Sequence, residues 1–141
     1  MARDRLTLSE PARPESVGLL RRALVAYASD VGAGEETCQA VALAVSEALT
    51  NAVVHAYADQ ALGDLTVEAW RDSDGHLVVV VCDDGPGIRP RIDTTGLGLG
   101  LSLMAQVAAE VRVTTRSERP GAIVLLRFAL TDSETETSVR A

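Results

Sequence analysis

The chain contains no lysine; all thirteen of its basic residues are arginine. A Walker A phosphate loop needs a Lys for the phosphates, and an ordinary protein kinase needs one on a strand. Both classes are excluded in their usual forms. Cysteine is scarce: Cys38 and Cys82 alone, with no Cys-x-x-Cys. Both lie among apolar residues, which predicts buried free thiols and favours a cytoplasmic location. The two histidines, His55 and His76, have no zinc-type ligand cluster around them in sequence. No run of eighteen or more apolar residues occurs, so no membrane span is expected. The first residues, Met1 to Thr7, lack the apolar core of a signal peptide. The net charge of -7 argues against direct, nonspecific binding to nucleic acid. It leaves room for a protein partner that itself binds nucleic acid.

A length of 141 residues suits one domain with a sizeable core. Residues 1–130 are expected to form it. Residues 131–141 are a polar tail, rich in Ser, Thr, Asp and Glu, with little to bury and an expectation of disorder. Arg5 to Ser9 alternates as a short edge strand, which Pro11 and Pro14 should break. A helix is expected from Ser16, with Val17, Leu20, Leu24, Tyr27 and Val31 on its apolar stripe. The glycines at 32 and 34 suit its end.

A second helix is expected over Glu35–Tyr57, opened by two acidic residues where the helix dipole favours them. Its Ala40–Val45 stretch is apolar all round, so a sheet and a neighbouring helix should both cover it. Two strands follow, Asp64–Trp70 and His76–Cys82, joined by the turn Asp72-Ser73-Asp74-Gly75. The second is almost wholly apolar and should lie mid-sheet. A glycine-rich segment, a helix through Met104, Val107 and Ala108, and strands at Glu110–Thr115 and Ala122–Phe128 complete the order. A hairpin-like link, 116–121, should join the last two. The fold class expected is α+β: a two-layer sandwich whose mixed, mostly antiparallel sheet carries helices on one face.

Three stretches carry chemistry. In the second helix, Glu47, Asn51 and His55 recur at i, i+4, i+8, so they share one face. A carboxylate and an amide one turn apart can hold a metal, a water or a hydroxyl, or simply form a solvated edge. Asp83-x-Gly85-x-Gly87 follows the apolar strand. Its carboxylate suits an exocyclic amine such as adenine N6, and its glycines let a flat ring approach the backbone. An ordinary β-turn has the same composition. Gly96-Leu97-Gly98-Leu99-Gly100-Leu101 precedes a helix, where backbone N–H groups can meet phosphate. A flexible loop entering a helix would read the same. With no lysine, phosphate charge must fall to backbone N–H groups, arginine and Mg2+. Asn51 is a hard oxygen ligand of the kind Mg2+ takes. Between the glycines, Arg89–Thr95 is expected to be a short lid.

Together these stretches resemble the N, G1 and G2 boxes of the GHKL (Bergerat-fold) ATPases, the superfamily of gyrase, Hsp90, histidine kinases and MutL. The resemblance spans Leu6 to Phe128. Val45 to Tyr57 is most similar to the bacterial anti-sigma factor serine/threonine kinases. The resemblance implies ATP and Mg2+ as ligands, with Glu47 as catalytic base and Asn51 as the metal ligand. It implies Asp83 as the adenine-reading carboxylate, with Gly85 and Gly87 on the adenine side. Gly96, Gly98, Gly100 and Leu101 fall in the phosphate loop, and His55 lies near the nucleotide. It further implies a homodimer, a sigma factor held by it, and a STAS-type anti-anti-sigma protein as phosphorylation substrate. One departure stands out: Gly121-Ala122 replaces the Gly-Thr common in that family. The alternative reading is a non-catalytic ATP-binding adaptor that sequesters a protein partner.

Overall fold

The computed structural model describes residues 5–58, 63–83, 103–115 and 122–130, with the backbone alone at 55–58 and 115. Strand β1 (Leu6–Pro11) is followed by helices α1 (Pro14–Asp30) and α2 (Glu35–Ala58). Strands β2 (Asp64–Arg71), β3 (His76–Asp83), β4 (Glu110–Thr115) and β5 (Ala122–Ala129) come after. A short helical turn at 103–107 precedes β4. The five strands form one sheet in the order β1-β2-β3-β5-β4. Every neighbouring pair is antiparallel, so the sheet is more uniform than the mixed one expected. β3 occupies its centre, as its unbroken apolar run predicts.

Two boundaries differ from the sequence reading. Pro11 ends β1 rather than interrupting it, because β1 is an edge strand and a missing N–H there is tolerated. Pro14 opens α1 two residues before Ser16, since the first helical position needs no N–H partner. On α1, Leu20, Leu24 and Ala28 are fully buried, while Val17, Tyr27 and Val31 pack only at the margin of the core. The 72–75 turn forms as expected. Asp72 Oδ1 accepts N–H bonds from Asp74 and His76 at 2.9 Å each. Gly75 takes φ 81°, a left-handed value that favours glycine.

The core lies between the sheet and the two helices. α2 contributes Val41, Ala44, Val45, Ala48, Leu49, Ala52 and Val53, a seven-residue recurrence that makes one continuous buried stripe. Leu65, Val67 and Ala69 of β2 and Leu77, Val79 and Val81 of β3 meet it from the sheet. By length and composition α2 could cross a bilayer; its apolar stripe is instead the centre of this core. Its apolar stretch is not covered all round, however: Leu43 is 40% exposed. Cys38 and Cys82 are both free and only half-buried, so the expectation of buried thiols is corrected. Cys82 alternates onto the sheet face that no described helix covers. The lid at 89–95, the 116–121 link and the 131–141 tail lie outside the described residues.

Candidate functional site

Alternation along β3 decides where Asp83 points. Leu77, Val79 and Val81 face the helices, and Asp83 is next in that row. It is 3% exposed, and among the described residues it is the one buried charged side chain. A carboxylate thus ends the core-facing row of the central strand.

Glu47 and Asn51 lie on the flank of the α2 stripe, each half-buried, beside the fully buried Ala48, Leu49 and Ala52. That flank position lets each keep its polar end out of the core while its stem packs against it. His55 lies one turn further along α2; its side chain is outside the described structure, as are Gly85, Gly87, Gly96, Gly98, Gly100 and Leu101.

The direction of α2 relates helix to strand. Thr37, in its first turn, donates its hydroxyl to the carbonyl of Ala129 at 3.4 Å. Ala129 is paired with His76, the first residue of β3. From that end, β3 runs roughly 23 Å to Asp83. A helix running along the strand covers that span in about fifteen residues. Laid along β3 without crossing it, α2 would draw level with Asp83 near Asn51, with Glu47 one turn nearer the helix start. Asp83 thus ends the core-facing row of β3, and Glu47 and Asn51 flank the α2 stripe that belongs to the same core.

The donor set suits Mg2+ carried in on phosphates. Among the described residues, no group of three or more His, Cys, Asp or Glu side chains could hold a metal unaided. Mg2+ keeps several waters and needs only one or two protein oxygens when phosphates supply the rest. Asn51 can provide one.

A second polar cluster lies far from this site, on the opposite sheet face. Arg127 donates to Glu110 Oε1 and Asp72 Oδ2, both at 3.1 Å. Arg112 donates to Glu110 Oε2 at 2.6 Å. The backbone N–H of His76 is the chief cause holding the Asp72 carboxyl below its usual range, with Asp74 N–H and Arg127 adding to it. Arg112 and then Arg127 lower Glu110 in the same way. The sequence reading passed over Arg127, whose only signal was a lone charge in the otherwise apolar β5.

The family comparison follows from this geometry. Residues 10–128 match the model of the histidine kinase-like ATPase domain. The serine-protein kinase RsbW of Bacillus licheniformis is 35% identical over 127 residues, covering 79% of each chain. RsbW of Bacillus subtilis (strain 168) is 34% identical over 129 residues, covering 81% of this chain and 80% of its own. A crystal structure of the RsbU and RsbW domains of Rv1364c from Mycobacterium tuberculosis superposes with a TM-score of 0.71 at 24% identity. It matches 89% of this chain, which spans 32% of that longer one, and it speaks for the fold alone. The chain belongs to the histidine kinase-like ATPase domain family and is homologous to the RsbW-type anti-sigma factor kinases of bacteria.

Proposed function

We propose that the chain is a Mg-ATP-dependent protein serine/threonine kinase and anti-sigma factor. It phosphorylates a STAS-type anti-anti-sigma protein and sequesters a sigma factor, as a cytoplasmic homodimer. The observation that carries this reading is the buried Asp83 at the end of the core row of β3, in a core shared with the α2 stripe that Glu47 and Asn51 flank. The Bacillus relatives, serine-protein kinases by name, support the same reading.

In this reading Asp83 accepts a hydrogen bond from the adenine amine. A ring keto group, as in guanine, has no proton to give it, so the site selects adenine. Asn51 offers its amide oxygen to Mg2+, which when bound offsets charge on the phosphates. Glu47, one turn earlier, accepts the proton of the incoming Ser or Thr hydroxyl. That oxygen forms a bond to the γ-phosphorus, the bond from the γ-phosphorus to the bridging oxygen breaks, and ADP leaves. Gly85, Gly87, Gly96, Gly98, Gly100 and Leu101 supply the backbone lining, and His55 stands near the nucleotide.

One observation favours a second reading. Ala122, where relatives of this type commonly carry Thr, opens β5 without a hydroxyl. Its loss weakens ATP binding by ~1 kcal/mol, and the alternative is an adaptor that binds ATP without transferring phosphate. Incubation with radiolabelled ATP, Mg2+ and candidate anti-anti-sigma proteins separates the two. Label on a partner Ser or Thr is the expected result. ATP and partner binding with no label on the partner would establish the adaptor.

A further inference from the structure

The apolar stretch Ala40–Val45 called for cover on every side, and one side lacks it. The sheet and α1 cover Val41, Ala44 and Val45, which are fully buried. On the other side of α2, Glu36, Ala40 and Leu43 recur at four and three residues, so they share a face. That face lines a groove of about 540 Å³, which Val107, Ala108 and the β5 residue Phe128 complete. Alanine at 40 and 108 leaves the room, and Leu43 stays 40% exposed beside it. The volume falls within the ~300–1,000 Å³ of sites that hold a ligand.

The α2 face does not stop at Leu43. The next residue on it is Glu47, four positions on, with its Cβ roughly 5–6 Å from that of Leu43. The groove runs about 10 Å along the helix, from Glu36 to Leu43, and ends one turn short of the proposed catalytic base. A kinase whose acceptor is a protein has to hold that protein by contacts away from the reacting atoms. Such contacts bring the hydroxyl to the base and keep it there. The groove offers an apolar hold on the same helical face as Glu47.

Charge says what kind of surface fits. Glu68, Asp72 and Glu110 each pair with an arginine. Glu35 and Glu36 are exposed, and among the described residues neither has a partner. They suit the start of α2, where the helix dipole favours acids, and they leave the far mouth of the groove negative. An occupant with apolar side chains in the groove and an arginine or lysine at that mouth complements both features.

We propose that this groove docks the protein that the chain phosphorylates. An apolar segment of the anti-anti-sigma partner lies along α2 from Leu43 to Glu36, and a basic residue of it meets Glu36. Its acceptor hydroxyl is thereby presented at Glu47. The proposal rests on the kinase of the preceding reading and names how its substrate is held.

Two exposed positions test it. Glu36→Arg reverses the charge at the mouth, and Leu43→Gln puts a neutral polar side chain in the groove without adding charge beside Glu47. Circular dichroism checks that each variant folds. Transfer from Mg-ATP to the anti-anti-sigma protein labelled by the wild type is followed across partner concentration, with ATP affinity in parallel. KM for the partner should rise about tenfold in Glu36→Arg and about fivefold in Leu43→Gln, with kcat and ATP affinity within about twofold. Exposed basic residues of the partner are then changed to Glu one at a time, and one of them should restore KM with Glu36→Arg. An unchanged KM in either variant, with transfer intact, would overturn the proposal and leave the kinase standing. A fall in kcat with KM unmoved would show that the two residues only support Glu47, which also overturns it. If the wild type binds the partner without labelling it, the kinase reading fails, and the same variants decide the docking by calorimetry. A wild type that neither labels nor binds such a partner would end both.

Discussion

Asp83 stands directly opposite Leu65 on the β2–β3 ladder, and both are buried on the side of the sheet that meets the helices. The last core-facing pair of the ladder is thus half apolar and half acidic. At the other end of β3, Ala129, the partner of His76, accepts the hydroxyl of Thr37 from the first turn of α2.

The first prediction concerns nucleotide choice. Asp83→Asn replaces the acceptor proposed for the adenine amine with an amide. ATP affinity should fall by at least ~1.5 kcal/mol, more than tenfold. Calorimetry with ATP and GTP on both proteins is the check. Equal affinity for the two nucleotides, unaffected by the substitution, would reject the adenine assignment.

The second separates binding from transfer. Glu47→Gln keeps the shape of the side chain on the α2 flank and removes its basicity. Single-turnover transfer to the anti-anti-sigma partner should fall about 10²-fold or more, with ATP affinity little changed. Asn51→Ala should instead weaken both Mg2+-dependent binding and transfer. Full-speed transfer by the Gln variant would end the base assignment.

The third is a pH dependence. Asp72 titrates below its ordinary value of 3.8, chiefly because its carboxylate accepts the His76 N–H. A depressed folded value means stability that is fully present above the unfolded value and lost as pH falls through the folded one. Urea midpoints should hold steady down to about pH 4 and then decline as pH drops further. Glu110, lowered by Arg112 and Arg127, acts with the same sign. Asp72→Asn should flatten part of that decline, and an unchanged slope would count against it.

The fourth concerns the bridge across the outer face. Arg127→Met leaves Asp72 and Glu110 without their shared guanidinium, at a cost of about 1 kcal/mol. The loss should shrink in concentrated salt, because the groups are partly exposed and screened. Thermal melts at low and high ionic strength measure it.

The fifth tests the core beneath the site. Leu49 is fully buried on α2 between Glu47 and Asn51. Leu49→Ala should cost ~2–5 kcal/mol, measurable by urea unfolding, and should disturb the flank that positions both polar groups.

Much of this was legible in the chain itself. β3 was readable as the central strand because six of its eight residues are apolar, and a strand at an edge would need a polar side. The i, i+4 spacing placed Glu47 and Asn51 on one helical face before any coordinates. Proline misled at both ends of the β1–α1 junction, since an edge strand and a first helical position each tolerate its missing N–H. The burial assumed for Cys82 was wrong for a different reason. Period-two alternation tells which residues share a face, but not which of the two faces the helices cover.

What the sequence determined by itself is therefore local: element type, spacing along each element, and which side chains travel together. These follow from covalent geometry repeating over a few residues. Only the tertiary structure decided that β5 inserts between β3 and β4, which brings Arg127 to Asp72, fifty-five positions earlier. It alone set Asp83 in the row that meets the helices and left an apolar sheet face on the side away from them. Those outcomes depend on strand order and helix direction. Both are fixed by packing between segments distant in the chain, for which no short-range pattern exists.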